Sequence, residues 1–478
     1  MDAPATTEVR ILSRRMVRPS QSRGVIHLTP WDLKMLSVDY IQKGILFLKP
    51  PPPPPPPPAA AADDDDAAKT RSDEQREEDG GKEEEDSSPV IISDLLSSFA
   101  RALDHFFPLA GRLATAKHEE TNSLSIFLDC NDEGAEFIHA SAATVTASDV
   151  LAPLYVHPVV QSFFPLNGVL GCDGLSTPLL AVQVTELADG GIFIGCSLNH
   201  AVADGSSFWH FFNSWAHLSR DRHQVSIPNP PTIDRWFLDS CPPPIRLPFA
   251  DRLDSIQRIS FPPVRECALH FSARSIAKLK ARANTEMGTD RISSLQALLG
   301  HLWRSVARAR RLDPTQETTY SVLVGCRSRL GPSLPATYLG NAIMIARAKS
   351  TAGELSEHGP GWAAWLLNRA VASCGEAATR DWLESWAKEP SLVRMDHFNH
   401  CDLVTGSSPR FDIYGNDFGW GRPAAVRSGV GNKVDGKATI YPGPDPGSMA
   451  LEVCLSPQAL SSLLQDQEFM QAVGNDGA

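Results

Sequence analysis

Ser197-Leu198-Asn199-His200-Ala201-Val202-Ala203-Asp204-Gly205 sets a histidine and a carboxylate four residues apart at the end of an apolar run. An imidazole with an unperturbed pKa close to 6.5 is a natural general base near neutral pH. A zinc site needs three or four protein ligands, and no glutamate follows this histidine. Gly205-Ser206-Ser207 lacks the Gly-x-Ser-x-Gly frame of a serine nucleophile elbow. On residue types alone, His200 as a base and His200 as a packed core histidine both stand. The run 191–198 is short, apolar and β-prone. After it, Phe208, Phe211, Phe212, Trp215 and Leu218 recur at helical spacing and predict a buried stripe. His200 is therefore expected on a loop between a strand and a helix, where scaffolded catalytic groups tend to sit.

A second landmark is Tyr414-Gly415-Asn416-Asp417-Phe418-Gly419-Trp420-Gly421-Arg422-Pro423. Asp-Phe-Gly alone could suggest a protein kinase, but the chain has no Gly-rich phosphate loop, Val-Ala-Ile-Lys or His-Arg-Asp segment. Taken with the His200–Gly205 segment and Phe107-Pro108-Leu109-Ala110-Gly111-Arg112-Leu113, it resembles the plant acyl-CoA-dependent acyltransferases of the BAHD family, from about Val9 to about Leu464.

The resemblance implies an α/β, two-domain, chloramphenicol acetyltransferase-like fold, with mixed sheets, flanking helices and a channel between the domains. It makes His200 the general base. Asp204 is carried over as structural, turned away from the channel and paired with an arginine, for which Arg327 is the first candidate and Arg329 the second. Gly205 would permit close approach, and Asp417 and Gly419 would shape the CoA channel. Trp31, Asp32, Ser272, Ser407, Ser408 and Trp420 are candidate lining of the substrate and CoA channel. Helix capping and packing are the ordinary roles of Trp31 and Asp32, and packing that of Trp420. Lys278, Lys280 and Arg282 on the following helix suit CoA phosphates or a solvated face.

The chain's 478 residues allow two domains. Its net charge of −12 is local, because residues 63–86 hold seven Asp and six Glu against four basic residues. Neither a nucleic-acid nor a membrane partner is implied. Nine scattered cysteines without a Cys-x-x-Cys pair suit reduced thiols in a cytoplasmic protein. Residues 50–88, opening with nine prolines and turning acidic, read as a looped-out disordered insertion. Prolines are dense again over 227–262. They suggest a crossover between an N-terminal domain, 1–226, and a C-terminal domain, 263–478. His397, His400, Cys401 and Asp402 cluster in sequence, yet the match to a family without a metal runs through them.

The expected activity is acyl transfer from an acyl-CoA cosubstrate, with no bound cofactor, to a hydroxyl or amine of a plant specialised metabolite by a monomer. Hydroxycinnamoyl transferases of the family carry a tryptophan about where Ser408 stands, and it can help hold the oxyanion. Here Ser407 and Ser408 are the alternatives. Two other classes are a lyase acting on an amino-acid conjugate without CoA, and a non-catalytic protein recruiting partners through 50–88.

Overall fold

The computed structural model describes residues 9–21, 24–50, 88–151, 154–248, 256, 261–393 and 399–474. The expected insertion therefore lies almost wholly outside the described residues, as does His397.

The first domain is built on a six-stranded mixed sheet ordered β1 (Arg10–Val17), β6 (Ala135–Ala142), β7 (Leu180–Leu187), β8 (Ile192–Leu198), β3 (Ile41–Phe47) and β13 (Ala425–Ser428). A three-stranded sheet of β2 (Val25–His27), β5 (Ser123–Asp129) and β4 (Arg112–His118) stands beside it. The second domain carries the other six-stranded sheet, ordered β11 (Ile343–Thr351), β10 (Glu317–Gly325), β12 (Leu403–Gly406), β14 (Lys437–Pro442), β15 (Met449–Leu455) and β9 (Arg265–Phe271).

One strand pairing crosses the division expected at 227–262. Ala425–Ser428 pairs antiparallel with β3, so the C-terminal half lends the first sheet an edge strand. This return follows directly on the Asp417 loop. Among the described residues of 227–248 no helix or strand forms, as dense proline dictates. The segment nonetheless touches both domains, with Leu247 bridging to Leu124 and Thr232 to Tyr338.

Every residue of β8 is buried. A strand covered on both faces reads as a continuous apolar run, which is why 191–198 lacks polar alternation. The helix Gly205–Arg220 follows, and Phe208, Phe211, Phe212, Trp215 and Leu218 are all fully buried, as their spacing predicts. Each such side chain removed from water contributes roughly 1.5–3 kcal/mol. The stripe packs on the helix Ser88–His105, where Trp215 Nε1 donates to Ser98 Oγ at 3.1 Å. In the second domain the helix Ser294–Ala309 begins with a capping box between Ser293 and Gln296. No helix among the described residues is long and apolar enough to cross a membrane.

Candidate active site between the domains

A cavity of about 1350 Å³ is lined by residues of both six-stranded sheets. The first domain supplies Tyr40, His200 and Asp204 to its wall, and the second supplies Arg327, Ser407, Ser408 and Lys437.

His200 is held by its backbone. Asn199, fully buried at the end of β8, donates from Nδ2 to Gly171 O at 2.8 Å and Tyr40 Oη at 3.0 Å, while its Oδ1 accepts from Ala201 N at 2.8 Å. The carbonyl of His200 accepts from Asn341 Nδ2 at 2.7 Å. The imidazole is left partly exposed to the cavity, and its Nδ1 is buried without a hydrogen bond among the described residues. Burial holds the His200 pKa below the ordinary histidine value, with the Lys437 ammonium adding to this and Asp204 opposing it. The ring is neutral at neutral pH and able to accept a proton.

Asp204 is turned into structure. It caps the helix Gly205–Arg220, with Oδ1 accepting from Ser206 N and Ser207 N at 3.0 Å each. Arg327 binds it with both arms, Nη1 to Oδ2 at 2.6 Å and Nη2 to Oδ1 at 2.9 Å, and Ala342 N adds a bond at 3.1 Å. Burial alone would raise its pKa, but Arg327 and the backbone donors outweigh burial and hold it below the ordinary value. Arg329 instead donates to the carbonyls of Val371 and Cys374. At Gly205 the close approach is made by Phe411, whose ring would lie 3.1 Å from an added Cβ.

Four sequence-derived channel candidates are not among the lining residues, and each has another role. Trp31 is fully buried and stacks on Trp236 at 5.8 Å. Asp32 is also fully buried. Its Oδ2 accepts from Thr29 N and pairs with Arg235 Nε at 3.3 Å, and its Oδ1 accepts from Asn341 N and Nδ2 at 3.0 and 2.9 Å. Asp32 therefore orients the amide that holds the His200 carbonyl. Ser272 caps the helix Ala273–Glu286, and Trp420 packs edge-on to Phe47 at 5.2 Å. Of the basic residues on the helix after Ser272, Lys280 reaches the cavity, while Arg282 pairs with Glu286 and Glu468.

Ser407 and Ser408 both line the cavity. Ser408 Oγ accepts from Arg410 N at 3.2 Å, whereas Ser407 sits at φ +71° with a buried hydroxyl that has no partner among the described residues. Asp417 Oδ1 accepts from Gly419 N and Gly421 N at 2.8 Å each, closing a turn in which both glycines have positive φ. Its other oxygen lies 4.0 Å from Arg220. Phe418 plugs into the helix stripe, 4.9 Å from Trp215. Asp402 Oδ1, from the His/Cys/Asp cluster, accepts from Thr319 N at 2.7 Å.

Sequence reasoning missed Asn199, Asn341, Tyr40 and Lys437. Asn199 had a signal, a polar residue adjoining the histidine after an apolar run; the other three become neighbours of His200 only through the tertiary fold.

The chain matches the model of the Transferase family over residues 82–470. It is 36% identical over 478 residues to an Arabidopsis thaliana protein described as an uncharacterized acetyltransferase, covering 98% of this chain and all of that protein. It is 31% identical to the Arabidopsis thaliana BAHD acyltransferase DCR, over 97% of this chain and 92% of that one. Among solved structures, vinorine synthase superposes with a TM-score of 0.67 at 18% identity, covering 98% of this chain and 99% of that one. F. sporotrichioides TRI101, complexed with coenzyme A and T-2, gives 0.66 at 16% identity, over 94% of this chain and 99% of that one. The architecture is thus that of the two-domain CoA-dependent acyltransferases, and the chain belongs to the BAHD acyltransferase family.

Proposed function

We propose that this protein transfers an acyl group from an acyl-CoA thioester to the hydroxyl or amine of a small plant metabolite, with His200 as the general base. The observation that carries this reading is a neutral, backbone-anchored imidazole facing a cavity walled by both domains. The imidazole takes the proton from the acceptor as its oxygen or nitrogen attacks the thioester carbonyl. A C–O or C–N bond forms and the carbonyl electrons move to oxygen, giving a tetrahedral oxyanion. On collapse the C–S bond breaks and the imidazolium returns the proton to the departing sulfur, releasing CoA and restoring the base. Ser407 is the better placed of the two serines to donate to the oxyanion, since its buried hydroxyl has no competing partner among the described residues. Both walls come from one chain, so a monomer suffices.

The test is acceptor-dependent thiol release from a panel of acyl-CoAs with pooled phenolic and amine acceptors. His200→Ala should lose about 10²–10⁴-fold in rate. Because burial lowers the His200 pKa, the neutral base persists as pH falls. The acidic limb of kcat/KM should therefore lie below about 6.5. Equal rates in wild type and His200→Ala would sink the reading.

A further inference from the structure

Three lysines line the cavity on the side of β13 and β14: Lys43, Lys433 and Lys437. Two are provided for. Lys43 donates to Ser428 Oγ at 2.9 Å, and Ser428 in turn bonds the buried Glu452. Lys433 pairs directly with Glu266. Lys437 differs from both. Its ammonium makes no hydrogen bond or ion pair among the described residues, and the group facing it across the β14–β15 ladder is Cys454, a thiol that burial keeps protonated.

A half-buried lysine without a counter-charge is costly, and desolvation lowers its pKa to about 8. The neighbouring strand accommodates it: Gly406 has no side chain, and a Cβ there would lie 3.0 Å from Lys437 Nζ. Glycine thus lets the ammonium settle beside the turn that carries Ser407. Its charge also contributes to the lowered pKa of His200. Lys437 therefore lines the same cavity as the base and the unpartnered hydroxyl, with its hydrogen-bonding capacity unused.

We propose that Lys437 is a carboxylate-binding position, and that one of the two molecules joined in this cavity carries a free carboxylate close to its reacting group. That the two molecules are joined rests on the acyltransferase reading, but the binding itself does not need turnover. A carboxylate in this place supplies the counter-charge the protein lacks, through a charge-assisted bond of the kind worth about a 10- to 100-fold change in affinity.

The carboxylate could arrive on the acyl donor or on the acceptor, and matched pairs separate the two. Donor pairs are malonyl-CoA against acetyl-CoA and succinyl-CoA against butyryl-CoA. Acceptor pairs are hydroxylated aromatic acids against their alcohols. Equilibrium binding of each compound is measured calorimetrically with the full chain, in wild type, Lys437→Met, Lys437→Arg and His200→Ala. At least one pair should show the carboxylate binding about tenfold tighter or more to wild type. That preference should vanish in Lys437→Met and survive in Lys437→Arg and His200→Ala. Removing an uncompensated, half-buried charge should also leave Lys437→Met at least as heat-stable as wild type, so lost binding is not lost folding. If no pair shows the preference, or if Lys437→Met retains it, the proposal is overturned. If the preference obeys these variants while no donor supports transfer, the carboxylate position stands and the acyltransferase reading falls.

Discussion

An aspartate lies at each end of the helix Gly205–Arg220, and the two ends are held differently. At the N-terminus Asp204 caps the helix and reaches into the second domain, where both arms of Arg327 and Ala342 N close on it. At the C-terminus Asp417 spends its bonds on its own loop, through Gly419 N and Gly421 N, and meets Arg220 of the last turn only at 4.0 Å. The first carboxylate is 1% exposed and the second 31%. Only the first joins the domains at the cavity wall. The second shapes a turn, and the attachment there is apolar, through Phe418 against Trp215. The end that positions the base is thus fixed by charge, and the remote end by packing.

Asp204→Ala should give the larger effect. It leaves the nearly buried Arg327 guanidinium without its anion, which costs about 3–5 kcal/mol, and removes the helix cap that follows His200. Urea unfolding should show the lost stability, and thiol release a fall in kcat. The folded-state pKa of Asp204 is depressed, so its contribution is present above the usual carboxylate range and disappears as pH falls through the depressed value. The gap between wild type and variant should therefore close in acid. Asp417→Ala removes two bonds from a partly exposed loop and should cost about 1–2 kcal/mol, with Phe418 still seated. Equal losses in the two variants would mean that the ends are equivalent.

Much of this is legible in the sequence because it depends on local pattern. The apolar run of β8, the aromatic stripe and the turn between them are enough to place His200 between a strand and a helix, and the pairing of Asp204 with Arg327 follows from resemblance to the family. What is not legible depends on distant segments meeting. Asp32 reads as a channel residue beside a helix start, but its second oxygen is claimed by Asn341, more than three hundred positions away. Trp420 and Trp31 cannot be sorted from substrate contacts by residue type, because an aromatic ring fits a core and a channel wall equally well. Lys437 carries no sequence signal, since a lysine on a strand is ordinary until its neighbours prove to be a glycine and a thiol. The return of Ala425–Ser428 to the first sheet is hidden for the same reason.

The smallest effect is expected from the segment that is most conspicuous in the sequence. The chain between β3 and the helix Ser88–His105 carries the proline run and most of the net negative charge. That helix packs on Gly205–Arg220, so the insertion leads into the direct packing partner of the helix that Asp204 caps. If the attachments at the two ends of Gly205–Arg220 and the shared aromatic core are sufficient, replacing residues 51–87 by a short Gly/Ser linker should leave acyl transfer unchanged. Stability should stay level or rise slightly, because each halving of a loop lowers its closure cost by about 0.6 kcal/mol. Melting temperature and acceptor-dependent thiol release measure both. A variant that folds but no longer functions would shift the weight from the anchored helix to the insertion, and would favour a protein that works by recruiting partners through its proline-rich, acidic segment.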